Sequence, residues 1–355
     1  MKINQITQRT SVVFVYGNHN NIYVLEDFFK LLEQPFLDIG VAIKYSNTIL
    51  PGELNFLIEF FTPEFVCTAY KIKEQNPNTD FICLMTEEVT EDTLNNFKLK
   101  TKKMNVFKKN IQPVFEKFRF LEKFTIIKKM MFCFSNQNKD LYNNLNYWKD
   151  RYNNLVDLSP LVKEVWGLTP SQIDSYKTVF THNNFRVIPT VAFSVKPLIE
   201  HPEDHLKDID FLFSGTLTPY REKIIKALRS RNYNVYVAPS TCPWFLRENL
   251  LKRAKITLHM RPKNLWCTPS PMRQYTSIIM GSLLVGEKSE VSCFEERFTY
   301  SVLAKNFLNE CEKQIKAGSF AERGRKILQD YYQQQKLRRE QMRSIVQLVT
   351  NTPNV

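Results

Sequence analysis

Short apolar runs alternate with longer stretches of helical spacing through most of the chain. Residues 11–16, Ser-Val-Val-Phe-Val-Tyr, are β-branched and aromatic, which suits a strand buried on both faces. Gly17-Asn-His-Asn-Asn21 breaks that run, and residues 23–32 then place Leu25, Phe28, Phe29 and Leu32 at helical spacing. Residues 40–45, 55–61 and 80–85 read as further strands, with helices over 62–75 and 90–98 after the last two. Residues 152–158, with Ser159-Pro160 behind them as a helix start, and residues 185–188 continue the alternation. Alternating strands and helices predict an α/β protein with a parallel, doubly wound sheet.

A second series follows. Residues 209–213 form a strand, 214–219 a turn and 220–230 a basic helix; strand 234–238, helix 244–253, strand 255–260 and helix 272–280 come next. Gly281 caps the last helix, strand 282–285 follows, and a long polar helix over 320–348 ends the pattern. Between the series, residues 189–208 hold three prolines and mixed charge, the best linker. The predicted organisation is an N-terminal Rossmann-like domain over 1–190, a linker at 191–208, a C-terminal Rossmann-like domain over 209–319, and a helix and tail over 320–355.

Two Rossmann-like domains facing a cleft, with a C-terminal closing helix, are the GT-B architecture of many glycosyltransferases. Residues 208–222, Asp-Ile-Asp-Phe-Leu-Phe-Ser-Gly-Thr-Leu-Thr-Pro-Tyr-Arg-Glu, resemble the opening of the donor domain in the spore-maturation-type (CgeB-like) bacterial glycosyltransferases. Tyr220 stands where the first of that family's paired arginines would be. Residues 251–259, Leu-Lys-Arg-Ala-Lys-Ile-Thr-Leu-His, look like the family's Ala-Lys-Ile strand. Residues 269–275 through 280–285 look like its arginine-bearing helix, glycine and strand. The likeness covers about residues 205–330; over 1–190 only the order of elements agrees. It implies transfer of a sugar from a UDP- or GDP-sugar co-substrate to a hydroxyl of a glycan or lipid-linked acceptor, with no metal and no further cofactor. A DNA-modifying glycosyltransferase and a catalytically inactive GT-B-like binding protein are the alternatives.

Individual residues carry this expectation. Gly215 follows a strand where the chain must turn without a Cβ crowding a ligand, and Arg221 opens the next helix. Ser270-Pro271 is a preferred N-cap and first-turn pair, so a helix should start there with free N–H groups and a positive dipole end. Arg273 in that first turn adds a bidentate charge suited to a diphosphate, and Met272 beside it joins the donor-binding set. His259 and Arg261 end the preceding strand and would face the same ligand. Many retaining GT-B enzymes carry two glutamates before the glycine that ends this helix; Thr268 and Thr276 stand in those places, and Glu287 is the available substitute. His19, after the first strand, titrates near neutrality and is the candidate base, with Glu87 and Glu88 as rivals.

Composition narrows the partners. There are 49 Lys+Arg against 36 Asp+Glu, a formal net charge of +13, which favours an anionic partner. The charge concentrates in a basic amphipathic segment at 102–135, where Lys102, Lys103, Lys108, Lys109, Lys117, Arg119, Lys123, Lys128 and Lys129 interleave with Phe115, Phe118, Phe120 and Phe124. Such a segment fits an anionic membrane surface, a nucleic acid, or a solvated face over a core. The seven cysteines have no paired spacing and no secretory or membrane-spanning segment is visible, so the expected location is cytoplasmic, peripheral at the inner face of the membrane. The pair Asp208 and Asp210 leads into a strand and does not read as a metal loop.

Overall fold

The computed structural model describes residues 9–16, 22–58, 62–86, 89–90, 93–94, 149–192, 203–239, 242–262 and 270–351. The chain divides into two compact units, Met1–Ile58 with Val187–Val355, and Glu59–Arg186.

The first unit begins with β1 (Ser11–Val15), α1 (Ile22–Asp38), β2 (Ala42–Ser46) and β3 (Leu54–Ile58), the strands parallel in the order β2-β1-β3. Val12 to Val15 are all buried, as a strand covered on both faces requires. The Phe14 ring stacks on Phe29 of α1 at 5.7 Å and meets Phe56 of β3 edge-on at 5.5 Å. α1 starts one residue earlier than the periodicity predicts and runs on through Pro35.

The same unit continues with a five-stranded parallel sheet in the order β10-β9-β11-β12-β13. Its strands are β9 (Ile209–Ser214), β10 (Val235–Ala238), β11 (Ala254–His259), β12 (Leu283–Glu287) and β13 (Tyr300–Val302). Helices α5 (Pro219–Arg229), α6 (Trp244–Arg253) and α7 (Pro271–Ile279) fall where the sequence pattern places them, to within a residue. Alternation along β9 sorts the packing. Phe211 and Phe213 meet Ile225 and Leu228 of α5 and Phe307 of α8 (Phe307–Ala317), while Leu212 packs with Leu250 and Leu251 of α6.

The expected single C-terminal helix is two, α9 (Phe320–Gln333) and α10 (Lys336–Thr350). The break is explained by Gln335, whose fully buried side chain turns inward. It accepts the Ala192 N–H at 2.7 Å and donates to the Thr190 carbonyl at 3.2 Å. Around the same three residues, Tyr275 donates to the Val191 carbonyl, Tyr331 to the Thr190 carbonyl, and the Thr190 hydroxyl to Glu295. β13, three residues long, and α8, an amphipathic helix of 11 residues, were not expected. Of the linker, residues 193–202 lie outside the described set, and Asp204 caps α9 through the N–H groups of Phe320 and Ala321 at 3.0 and 2.6 Å.

The second unit holds α2 (Pro63–Gln75), capped by Thr62, and β4 (Asp80–Met85), which pairs in parallel with β7 (Glu164–Gly167). Residues 149–158 form α3, with Arg151, Leu155 and Leu158 on its buried face, so the segment 152–158 is helix and Ser159–Leu161 only a 3-10 turn. The predicted helix at 90–98 is also corrected. β5 (Val89–Thr90) and β6 (Thr93–Leu94) pair antiparallel, and 95–98 are outside the described residues. α4 (Pro170–Tyr176) starts at a capping box, where Thr169 bonds the Gln172 N–H and the Gln172 side chain returns to the Thr169 N–H. β8 (Asn184–Val187) ends the series.

One close approach fixes the helix layer on the five-stranded sheet. Gly281 turns left-handed (φ +60) after α7, and a Cβ on Gly324 of α9 would lie 1.9 Å from the Gly281 carbonyl oxygen. Gly324→Ala must therefore push α9 away, and a loss of about 1–3 kcal/mol or more is expected. Denaturant unfolding of the variant checks it; an unchanged midpoint would refute the close packing.

Candidate functional site

The residues predicted to hold a donor gather at the C-terminal ends of β9, β11 and β12, where open α/β sheets bind ligands. Gly215 follows β9 with φ +138, a region that L side chains rarely adopt. A Cβ there would also lie 3.1 Å from Nη2 of Arg273. The glycine thus serves both the turn and the approach of the arginine. Arg273 projects from the first turn of α7, with its guanidinium 5.8 Å from the Phe213 ring centre. Among the described residues its guanidinium makes no hydrogen bond.

Arg221 plays a different part. It is buried, 5.0 Å over the same Phe213 ring, and its fork donates to main-chain carbonyls. Nε and Nη2 reach the Met260 oxygen at 3.1 and 2.8 Å, Nε also reaches Arg261 at 3.2 Å, and Nη1 reaches Thr216 at 2.8 Å. It ties the turn after β9 to the end of β11.

Burial, and then Arg273, Arg221 and Arg261, push the pKa of His259 down to about 3, so the imidazole is neutral. Gln274 faces its Nδ1 at 3.1 Å, and the Gln274 oxygen accepts from the Cys293 thiol at 3.0 Å. With Nδ1 accepting, the ring proton sits on Nε2. His259 therefore orients α7 from behind. Glu287 is buried at the end of β12, where it accepts the Arg261 N–H at 2.6 Å and the Tyr220 hydroxyl. Tyr220, the departure from the paired arginines, is thus bonded to the candidate glutamate. Arg261 also donates to the Lys288 carbonyl.

α7 starts at Pro271 as expected, but the Ser270 side chain makes no cap bond; its carbonyl accepts the Gln274 N–H at 3.2 Å. Met272 is buried beneath the first turn. Thr276 is buried too, its hydroxyl bonded to the Arg273 carbonyl at 3.1 Å, and Thr268 lies outside the described residues. So do His19, Glu87, Glu88 and the basic segment 102–135.

Sequence reasoning missed the acidic side of the site. Asp27 of α1 pairs with Arg247 of α6 at 3.0 Å, and it also acts on Arg273. Its neighbour Glu26 accepts the Trp244 N–H at 2.7 Å, capping α6 where Pro243 cannot. Burial lifts Asp27 to about 6, opposed by Arg247 and Arg273 and helped by Glu26. The Glu26-Asp27 pair in a helix that otherwise reads as apolar was the available signal. Asp208 and Asp210 are committed elsewhere, to Arg253 and to Lys255 at 2.7 Å. Among the described residues no group of three His, Cys, Asp or Glu could hold a metal, and no helix is long and apolar enough to cross a membrane.

No family model and no curated protein sequence matches the chain. Solved structures do. T4 phage BGT in complex with its UDP-glucose substrate aligns at TM-score 0.53 and 9% identity, over 96% of this chain and 99% of that one. An alpha-glucosyltransferase in complex with UDP and a 13-mer DNA aligns at 0.52 and 8%, over 92% and 95%. TarM aligns at 0.44 and 10% identity, and there the chain spans 56% of TarM's length. The fold is that of the GT-B glycosyltransferases, two parallel-sheet α/β domains.

The Asp27 environment has a pH signature. A carboxyl raised from its ordinary value of 3.8 to about 6 in the folded state binds more protons folded than unfolded between about pH 4 and 6. Wild-type stability relative to Asp27→Asn should therefore fall as pH rises through that window and level off above it. Unfolding midpoints of the two proteins at a series of pH values measure the difference; a flat difference would remove the buried-carboxylate account.

Proposed function

We propose that the chain is a glycosyltransferase that binds a nucleotide sugar at Gly215, Ser270 and Arg273 and passes the sugar to an acceptor hydroxyl. The observation that carries this is the Arg273 guanidinium, which projects from the first turn of α7 to the glycine turn after β9 and makes no hydrogen bond among the described residues. A diphosphate placed there meets a bidentate cation and the positive end of a helix dipole, both fixed before the ligand arrives. Their chemical role is to stabilise the charge that develops as the diphosphate leaves. Phe213 beneath the guanidinium and Gly215 beside it set its position; Arg221, His259, Gln274 and Glu287 hold the surrounding main chain. His19 is the proposed base, with Glu87 and Glu88 as rivals. The likeness of residues 205–330 to the spore-maturation-type enzymes supports the donor class; acceptor binding is assigned to the N-terminal domain over 1–190.

For the acceptor, the formal charge of +13 favours a polyanion. Two of the aligned structures, each matched over nearly the whole length, are a glucosyltransferase with UDP-glucose and one holding UDP and DNA. Together these support DNA as the acceptor over the glycan or lipid-linked hydroxyl. Unmodified bases carry no alcohol, so the acceptor would be a base bearing a hydroxyl group.

Arg273→Ala should weaken UDP-sugar binding by about 10–150-fold, the loss of one charged hydrogen-bonding partner worth about 1.5–3 kcal/mol, while the fold stays intact. Titration calorimetry with UDP-glucose and GDP-mannose reads it, and unchanged affinity removes Arg273 from the site. Transfer of labelled glucose to duplex DNA containing hydroxylated bases tests the acceptor. Labelling of vesicle-borne glycolipid, with DNA untouched, would return the acceptor to the glycan class.

A further inference from the structure

A cavity of about 540 Å3 lies beside the end of β12, a volume in the range of about 300–1,000 Å3 that small-molecule sites occupy. Its wall carries three cations, Lys288, Arg297 and Arg338, against one acid, Glu296. That carboxylate is already used, accepting the Ser289 N–H at 3.3 Å. Lys288 and Arg297 are exposed, and among the described residues neither side chain makes a hydrogen bond or an ion pair. Arg338 stands 3.7 Å from Glu295, and its Nε is buried with no hydrogen-bond partner among the described residues.

One aromatic ring gathers the two guanidiniums. Arg338 lies 4.2 Å and Arg297 5.5 Å from the centre of Phe294. Two like charges drawn to one ring repel each other, and a bound anion relieves that repulsion. The hydroxyls of Thr299 and Ser301 on the same wall are committed within the protein, bonded to each other at 2.7 Å with Thr299 donating on to the Glu296 carbonyl at 2.9 Å. Two guanidinium forks and an ammonium are the charged donors that suit a phosphoryl group.

Arg273 does not line this cavity. Cys293 of the cavity wall bonds Gln274, the next residue along the chain after Arg273. We propose that the cavity binds a phosphoryl group of a small molecule, at a site separate from Arg273. The cavity's own residues make this site, whether or not the chain transfers sugars. The phosphoryl group could belong to a nucleotide or to a second phosphorylated ligand, and the probes below separate these sources.

The test uses the double variant Lys288→Gln, Arg297→Gln, whose exposed positions leave the fold unchanged, beside Arg273→Ala and wild type. Inorganic pyrophosphate and UDP are titrated into each by calorimetry. The expected result is that wild type binds pyrophosphate and the double variant binds it about tenfold or more weakly, as removal of charged partners requires. A parallel loss for UDP in the double variant assigns the phosphoryl group to the nucleotide. Unchanged UDP affinity assigns it to a separate ligand. Wild type failing to bind pyrophosphate, or a double variant that binds it as wild type does, overturns the proposal. Arg273→Ala with unchanged UDP affinity sinks the donor site alone and leaves the cavity untouched.

Discussion

The ligand-facing edge of the five-stranded sheet depends on how one buried charge is satisfied. A guanidinium removed from water needs acceptors, and Arg221 finds them in the carbonyls of Thr216, Met260 and Arg261, at the ends of two strands and in the turn between. Those bonds close the turn at Gly215, and the closed turn leaves the face of Phe213 and the space over Gly215 to Arg273. Two arginines on one ring thus have opposite fates. One is spent on the backbone, and the other has no hydrogen-bond acceptor among the described residues.

The surrounding groups keep that free charge in place without neutralising it. His259 contributes no charge, and Asp27 is shared with Arg247. Burial disfavours the charged form of Asp27 as well, which weakens a carboxylate that acts on Arg273. A site arranged this way has an unmet preference for an anion, and its geometry is set before any ligand arrives.

Much of this was legible in the sequence. The element order of the C-terminal half followed from strand-length apolar runs and from proline at helix starts, and the positions of Gly215 and Arg273 followed from what stands beside them. Less legible were features decided by distant partners. The break between α9 and α10 comes from Gln335 bonding a segment far back in the chain, and no local signal marks it. From sequence Arg221 reads as a donor-phosphate contact or a solvated charge at a helix start, because its acceptors are main-chain oxygens and carry no residue signature. Asp27 and Arg247 meet across 220 positions, and such a pair is invisible to periodicity. Where short elements lacked a period, as at 90–98 and 152–158, propensity gave the wrong element.

The stretch Thr190–Val191–Ala192 draws its partners from far along the chain: Tyr275, Glu295, Tyr331 and Gln335 lie 84, 105, 141 and 145 residues downstream. During synthesis it leaves the ribosome long before any of them. At about 5–20 residues per second, the wait for Gln335 is on the order of ten seconds. Until then the main-chain groups of this stretch are served only by water, and they close once the last two helices have emerged. The native order of the segment is therefore a late event, set by translation speed as much as by its own sequence.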